Sequence, residues 1–432
     1  MTMQRVLSFE QTPTLAVPLR FFLTAPAFAI LAGLLLAWTG PAMFVSRWSP
    51  DALALTHLLT LGFLGMCMIG ALLQILPVVS GIEIPYTNYT AKGVHAALAA
   101  GTLTLCFGFL SASPIAFRIA IAILASGFGW LLLILLKRVW TATHASPMLV
   151  AIRLALSALA AAVAFGLAAA AGFAWPLSLP LLQITDLHVS WGLLGWLGLL
   201  VAGVAYQVVP MFQVTPIYPQ WMTRGFAWTV FALLVLRSAV ALYDSRWEPW
   251  LTALPVLAWS AFAVTTLHLL RQRKRPKPDA TTFFWRTALA SILAAAILWA
   301  VSAAVPAVSQ HPATAFAIGV LIIVGFGYTV INGMLYKIVP FLVWYHLQNH
   351  LAGSAKAPNV KQILPDKDAE RQFHLHLLAL VVLLMAPVFP GWIAHAAGIA
   401  FAASSVWLWI NLLKAMRTYR NMASGASALR AA

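Results

Sequence analysis

The stretch THLLTLGFLGMCMIGALLQILPVV, residues 56–79, is apolar almost throughout, yet it carries an imidazole at His57 and an amide at Gln74. Its core, GFLGMCMIGALLQILP from Gly62, has two relatives further along: GWLGLLVAGVAYQVVP from Gly195 and GFGYTVINGMLYKIVP from Gly325. All three read Gly, seven residues, Gly, three residues, Gln or Lys, two residues, Pro, at offsets of 133 and 130 residues. Self-similarity at a fixed long period marks repeated architecture. The glycines fit close helix packing, because small residues let backbones approach where lipid supplies no hydrophobic drive. Gln74, Gln207 and Lys337 share one place in the repeat, near the predicted inner ends, where a lysine can snorkel. Pro77, Pro210 and Pro340 are expected to close the three helices.

The rest of the chain explains why such segments are apolar. Of 432 residues, 62% are hydrophobic and 8% charged, against roughly 25% charged in soluble domains. Lipid is the expected solvent and partner. Runs of about 20 apolar residues cross a bilayer as helix. Twelve such spans are predicted, at 17–40, 53–80, 91–112, 115–139, 148–174, 181–211, 225–245, 249–271, 284–308, 312–346, 374–390 and 393–416. The fold class is all-α: a polytopic membrane protein of twelve helices in three four-helix arcs. The arcs cover residues 1–140, 141–280 and 281–432, the last with a loop at 347–373. The first apolar run follows a polar stretch and reads as a true span, not a cleavable leader.

The formal net charge of +16 does not point to nucleic acid, since no nucleic-acid-reading motif is present. The cations instead gather in alternate loops, with RQRKRPK (271–277) the densest. By the positive-inside rule both termini face the cytoplasm, and the even-numbered spans start outside. Arg246, Trp247 and Trp250 fall in an outer loop. Cys67 and Cys106 lie inside apolar runs and form neither a disulfide framework nor a zinc pattern. No paired carboxylates within a span and no serine-nucleophile motif are visible.

Twelve spans in three arcs, with histidines at the outer ends of spans two and six, resemble subunit I of the heme–copper oxidases. They also resemble the NnrS-like membrane proteins of the bacterial nitric-oxide response. The resemblance implies a bacterial-type inner-membrane protein that binds heme, b-type by analogy, and potentially copper. It implies a role in nitric-oxide or respiratory stress, with a small gaseous ligand. His57 takes the place of an axial heme ligand in that family, and His188 the place of a copper ligand. The departures argue against terminal oxidase activity. Gly192 stands where the family has a tyrosine, span seven lacks a histidine pair, and span ten lacks His-x-His.

The residues themselves add detail. An ionisable side chain within a span is a functional hypothesis by default. His188 lies seven residues before Gly195, and His57 five before Gly62. On ideal α-helices His188 shares the stripe of Gly195, whereas His57 lies about 140° off the stripe of Gly62, so the two imidazoles point to different grooves. Two separate sites, or one site and one bystander, are therefore expected. Asp186 precedes His188 by two residues, too close to face it on a regular helix. Met68 lies on the stripe of His57 but about 16 Å deeper. Arg237, inside span seven, suits either a heme propionate or the outer headgroups. His346 and His350 lie near His374 and His376 at one membrane face, where a metal site or a set of surface histidines would fit. His311 is a reserve ligand, while His95, His144, His268 and His395 have no evident partner. Two other readings are a small-solute transporter lined by Gln74, Gln207 and Lys337, and a noncatalytic assembly subunit.

Overall fold

A computed structural model describes residues 12–143, 146–243, 248–275, 277–351 and 357–431. His144, Arg246 and Trp247 lie outside the described residues. Among those described there are helices and turns but no strand. Eleven helices are long and apolar enough to cross a membrane: α1 (Ala16–Phe44), α2 (Pro50–Ser80), α3 (Thr87–Ser111), α4 (Pro114–Thr141), α5 (Pro147–Ala174), α6 (Leu181–Gln213), α7 (Gln220–Ala241), α8 (Trp250–Arg271), α9 (Ala280–Ala304), α10 (Pro312–Leu351) and, after one more helix, α12 (Gly391–Ser424). The helix between them, α11 (Asp366–Met385), corresponds to the predicted eleventh span. It does not meet the same test. Its first six residues carry five charges, Asp366, Lys367, Asp368, Glu370 and Arg371, which leave a short apolar remainder.

The helix starts are written in the sequence. Ser49, Ser113 and Ser146 each precede a proline and accept a hydrogen bond from the backbone N–H three residues on. Serine at the cap and proline at the first helical position are both favoured there. The prolines of the repeat behave differently from expectation. Pro77 and Pro210 lie inside α2 and α6, which run three residues further, and Pro340 lies well inside α10. One missing N–H is tolerable in a membrane helix packed against neighbours.

α2 and α6 are the most enclosed spans, with 78% and 67% of their most apolar windows buried. Each of α2, α6 and α10 is interrupted by wide π-helical turns, at Leu58–Gly65, Ser190–Gly198 and Leu321–Tyr328. Such turns hydrogen-bond from i to i+5 and recur at functional sites. The glycines of the repeat explain the close packing. A Cβ on Gly62 would fall 2.4 Å from Phe28, on Gly195 2.7 Å from Ala158, and on Gly325 2.6 Å from Ser291. These partners lie on α1, α5 and α9, each the helix before the glycine's own. The second glycines, Gly70, Gly203 and Gly333, meet Phe21, Ala151 and Phe284 on the same three helices. Between α2, α6 and α10 lies a cavity of about 80 Å³. Its lining includes Cys67, Leu200 and Val330, and again Met68, Val201 and Ile331, residues at the same two offsets.

The first and last spans pack together. α1 and α12 approach so closely that a Cβ on Gly398 would fall 2.3 Å from the backbone nitrogen of Ala37. Large apolar side chains such as Trp38, Leu133, Ile115 and Trp392 are left exposed on the outside. In water such a surface would be costly, and in lipid it is the expected one.

Candidate functional site

His57 is the last residue of the α-helical opening of α2, and the π turns begin at Leu58. His188 is the next-to-last residue before the π turns of α6 begin at Ser190. The two imidazoles come together. Their ring centres are 6.2 Å apart and their planes differ by 16°. The expectation of two separate grooves is thus corrected. Its premise was a phase of about 100° per residue from each histidine to its glycine, and wide turns interrupt both of those intervals.

Each ring is fixed through one nitrogen. Nδ1 of His57 is 2.7 Å from the carbonyl oxygen of Leu53, one turn earlier on its own helix. Nδ1 of His188 is 2.8 Å from the carbonyl oxygen of Ala162 on α5. A carbonyl can only accept, so Nδ1 carries the proton in both rings and Nε2 keeps its lone pair. That arrangement is the one a metal-ligating imidazole needs. Gly166 on α5 makes room for His188, since a Cβ there would fall 2.8 Å from the ring. Phe109 packs against His57 with ring centres 5.4 Å apart. Asp186 does not hold His188, because the Ala162 carbonyl fills that role.

Both histidines line one large cavity of about 630 Å³, bounded by α1, α2, α4, α5, α6, α7 and α10 among others. Small-molecule and cofactor sites span roughly 300–1,000 Å³. The lining is mainly apolar, with Thr56, Thr60, Asp186, Arg47 and Arg237 among its few polar groups. The Arg47 guanidinium sits 4.6 Å over the Trp48 ring. Arg237 thus faces the histidine cavity, which the sequence left open against a headgroup position. Met68 lies in its wall, deeper than the histidines.

The donor set can be tested against its candidates. Two imidazoles whose Nε2 atoms faced each other in line across one metal would have ring centres about 6.3 Å apart, from bonds of about 2.0 Å and roughly 1.15 Å from each centre to its nitrogen. The ring centres here lie 6.2 Å apart, which leaves room for one metal between them in that orientation. A lone zinc ion needs four ligands, and no group of three His, Cys, Asp or Glu that could hold a metal occurs among the described residues. A heme brings four nitrogens of its own and asks the protein for two axial ones. The residues present therefore fit heme better than a bare ion, and they give His188 no set of its own for copper.

The other predicted positions separate. Lys337 pairs with Asp279 at 2.9 Å. The Asp279 carboxylate also accepts from Thr281 Oγ1 at 2.7 Å and from the backbone N–H of Thr282 at 3.0 Å. Burial alone would raise this carboxyl, but the Lys337 ammonium and these hydrogen bonds outweigh it and hold it well below the usual carboxylate range. Gln207 is exposed, and Oε1 of Gln74 is buried without a hydrogen-bond partner. His311 caps α10 by accepting from the backbone N–H of Ala313. His376 is buried with Nε2 2.7 Å from Thr329 Oγ1, while His374 is exposed on the other side of α11. His346 is half-buried, and the two pairs form no metal cluster. His95, His268 and His395 contact Thr24, Gln272 and the Ala37 carbonyl respectively.

The Asp279 pair has a measurable consequence. A carboxyl depressed in the folded state adds stability above its unfolded pKa of about 3.9 and loses it as pH falls through the lower folded value. Asp279→Asn is expected to cost about 2 kcal/mol at pH 7. It should also flatten the acid limb of thermal stability below about pH 4. Thermal unfolding in detergent across pH checks both, and an unchanged acid limb would remove the pair from the account.

No known protein-family signature matches the chain, and no curated protein matches it.

Proposed function

We propose that the chain is a multi-pass inner-membrane heme protein in which His57 and His188 would together hold one heme. The observation that carries this reading is the pair itself: two near-parallel imidazoles 6.2 Å apart, each anchored through Nδ1, in one large apolar cavity. When bound, the heme would supply an iron that cycles between ferric and ferrous states. The protein's part is to hold and shield it. The Leu53 and Ala162 carbonyls orient the two rings, Gly166 leaves space for one of them, and the apolar wall excludes water. Arg237 and Arg47 supply cations for the propionates, whose charge needs partners in low dielectric.

The architecture behind this proposal is twelve membrane helices in three arcs, with α2, α6 and α10 innermost and both termini cytoplasmic. The recurring glycine contacts, the three sets of π turns and the matched lining of the central cavity support it. The likeness to heme–copper oxidase subunit I and NnrS-like proteins supports a role in nitric-oxide or respiratory stress. A heme held by two imidazoles would suit electron transfer or redox sensing, and dioxygen reduction is not part of the proposal.

The test is the absorption spectrum and heme content of protein purified from heme-replete cells. One b-type heme per chain with a low-spin spectrum is expected. A colourless protein from such cells would overturn the reading.

A further inference from the structure

The cavity between α2, α6 and α10 is distinct from the histidine cavity, and nothing above assigns it a use. It measures about 80 Å³. Its volume would admit more than one water molecule, because a single water needs only about 10–15 Å³ on this measure. Water, however, also needs two to four polar partners. The walls are the side chains of residues such as Ala71, Val204, Val330 and Met334, and their only polar groups are the weak thiol of Cys67 and the indole N–H of Trp285. Backbone polar groups along helix interiors are already paired with one another. A site of this kind stays dry and accepts small apolar molecules. Ions, sugars and amino acids are excluded by desolvation.

The position narrows the occupant. Met68 lines this cavity and the histidine cavity alike, so the two spaces share a wall. An apolar gas dissolves in the surrounding lipid and can reach a space between helices without crossing a polar layer. We propose that this cavity is a holding site for one small apolar gas molecule, of the size of nitric oxide or dioxygen, set behind Met68 from the histidine pair. The binding claim stands on the cavity alone, and only its use beside iron rests on the heme reading.

Xenon is the probe, a single apolar atom whose anomalous scattering locates it in pressurised crystals. One strong peak is expected between α2, α6 and α10 in the full chain. Val204→Phe, which fills the cavity, should lower its occupancy at least tenfold while other xenon sites persist. Ala71→Leu is the second filling variant should the first fail to fold. The same peak is expected in protein purified without heme, so loss of the heme reading would leave this result intact. Absence of the peak at pressures that load other sites, or a peak unaffected by a folded filling variant, would overturn the proposal.

Discussion

His57→Ala and His188→Ala will each abolish the low-spin spectrum, and imidazole added to the purified variant will restore it. The argument is geometric. Each ring is held by a single carbonyl and contributes one free Nε2, so neither has a deputy. Met43 and Met68 supply the sulfurs of the cavity wall, and neither is held toward the histidine pair by a carbonyl as the two rings are. Loss of outer-shell partners alone costs metal sites about 10–100-fold in affinity, and loss of an axial ligand is expected to exceed about 100-fold. A small ligand can replace the missing ring because the cavity of about 630 Å³ leaves space for it. Rescue separates ligation from folding: a merely structural histidine would leave the spectrum intact or lose it beyond recovery. Two variants with unchanged spectra would sink the pairing.

The second large effect concerns the fold. Gly398→Val should cost about 3 kcal/mol or more, near the upper end for overpacked sites. Most crowded glycines face side chains that can shift, but Gly398 faces backbone. Its Cβ would fall 2.3 Å from the nitrogen of Ala37 and 2.6 Å from the carbonyl oxygen of Gly33. Relief requires moving α1 as a whole, which opens the contact between the first and last spans. Gly129 on α4 is the control, because a Cβ there meets nothing within 4 Å. Gly129→Ala should be neutral or stabilise by up to about 1 kcal/mol through helix propensity alone. Equal behaviour of the two variants in detergent melts would contradict the close seam between α1 and α12.

Much of this fold could be read before any coordinates. The apolar runs, the Ser-Pro helix starts and the Gly-x7-Gly spacing all carry local physical signals, and the glycines meet the preceding helix as small residues at a seam should. The charges that open α11 mark where hydropathy stops describing a span. The meeting of His57 and His188 was not legible. It is a contact between two helices, which no local spacing specifies, and the wide turns that follow both histidines leave no composition signal. The Ala162 carbonyl was equally invisible, because it comes from another helix and from the backbone. Lys337 looked like a snorkelling cation only because Asp279 lies 58 residues earlier, beyond any local pattern.

Ring orientation offers the most direct measurement. Two imidazoles on one ferric heme set the shape of its low-spin electron paramagnetic resonance, and near-parallel planes give a well-resolved rhombic signal. With planes 16° apart, the ferric protein should show that rhombic signal, and either histidine-to-alanine variant should convert it to high spin or abolish it. A single broad signal at very low field, the mark of perpendicular ligand planes, would contradict the pair as described. A native protein that is high-spin or free of heme would contradict the proposal that His57 and His188 share one iron.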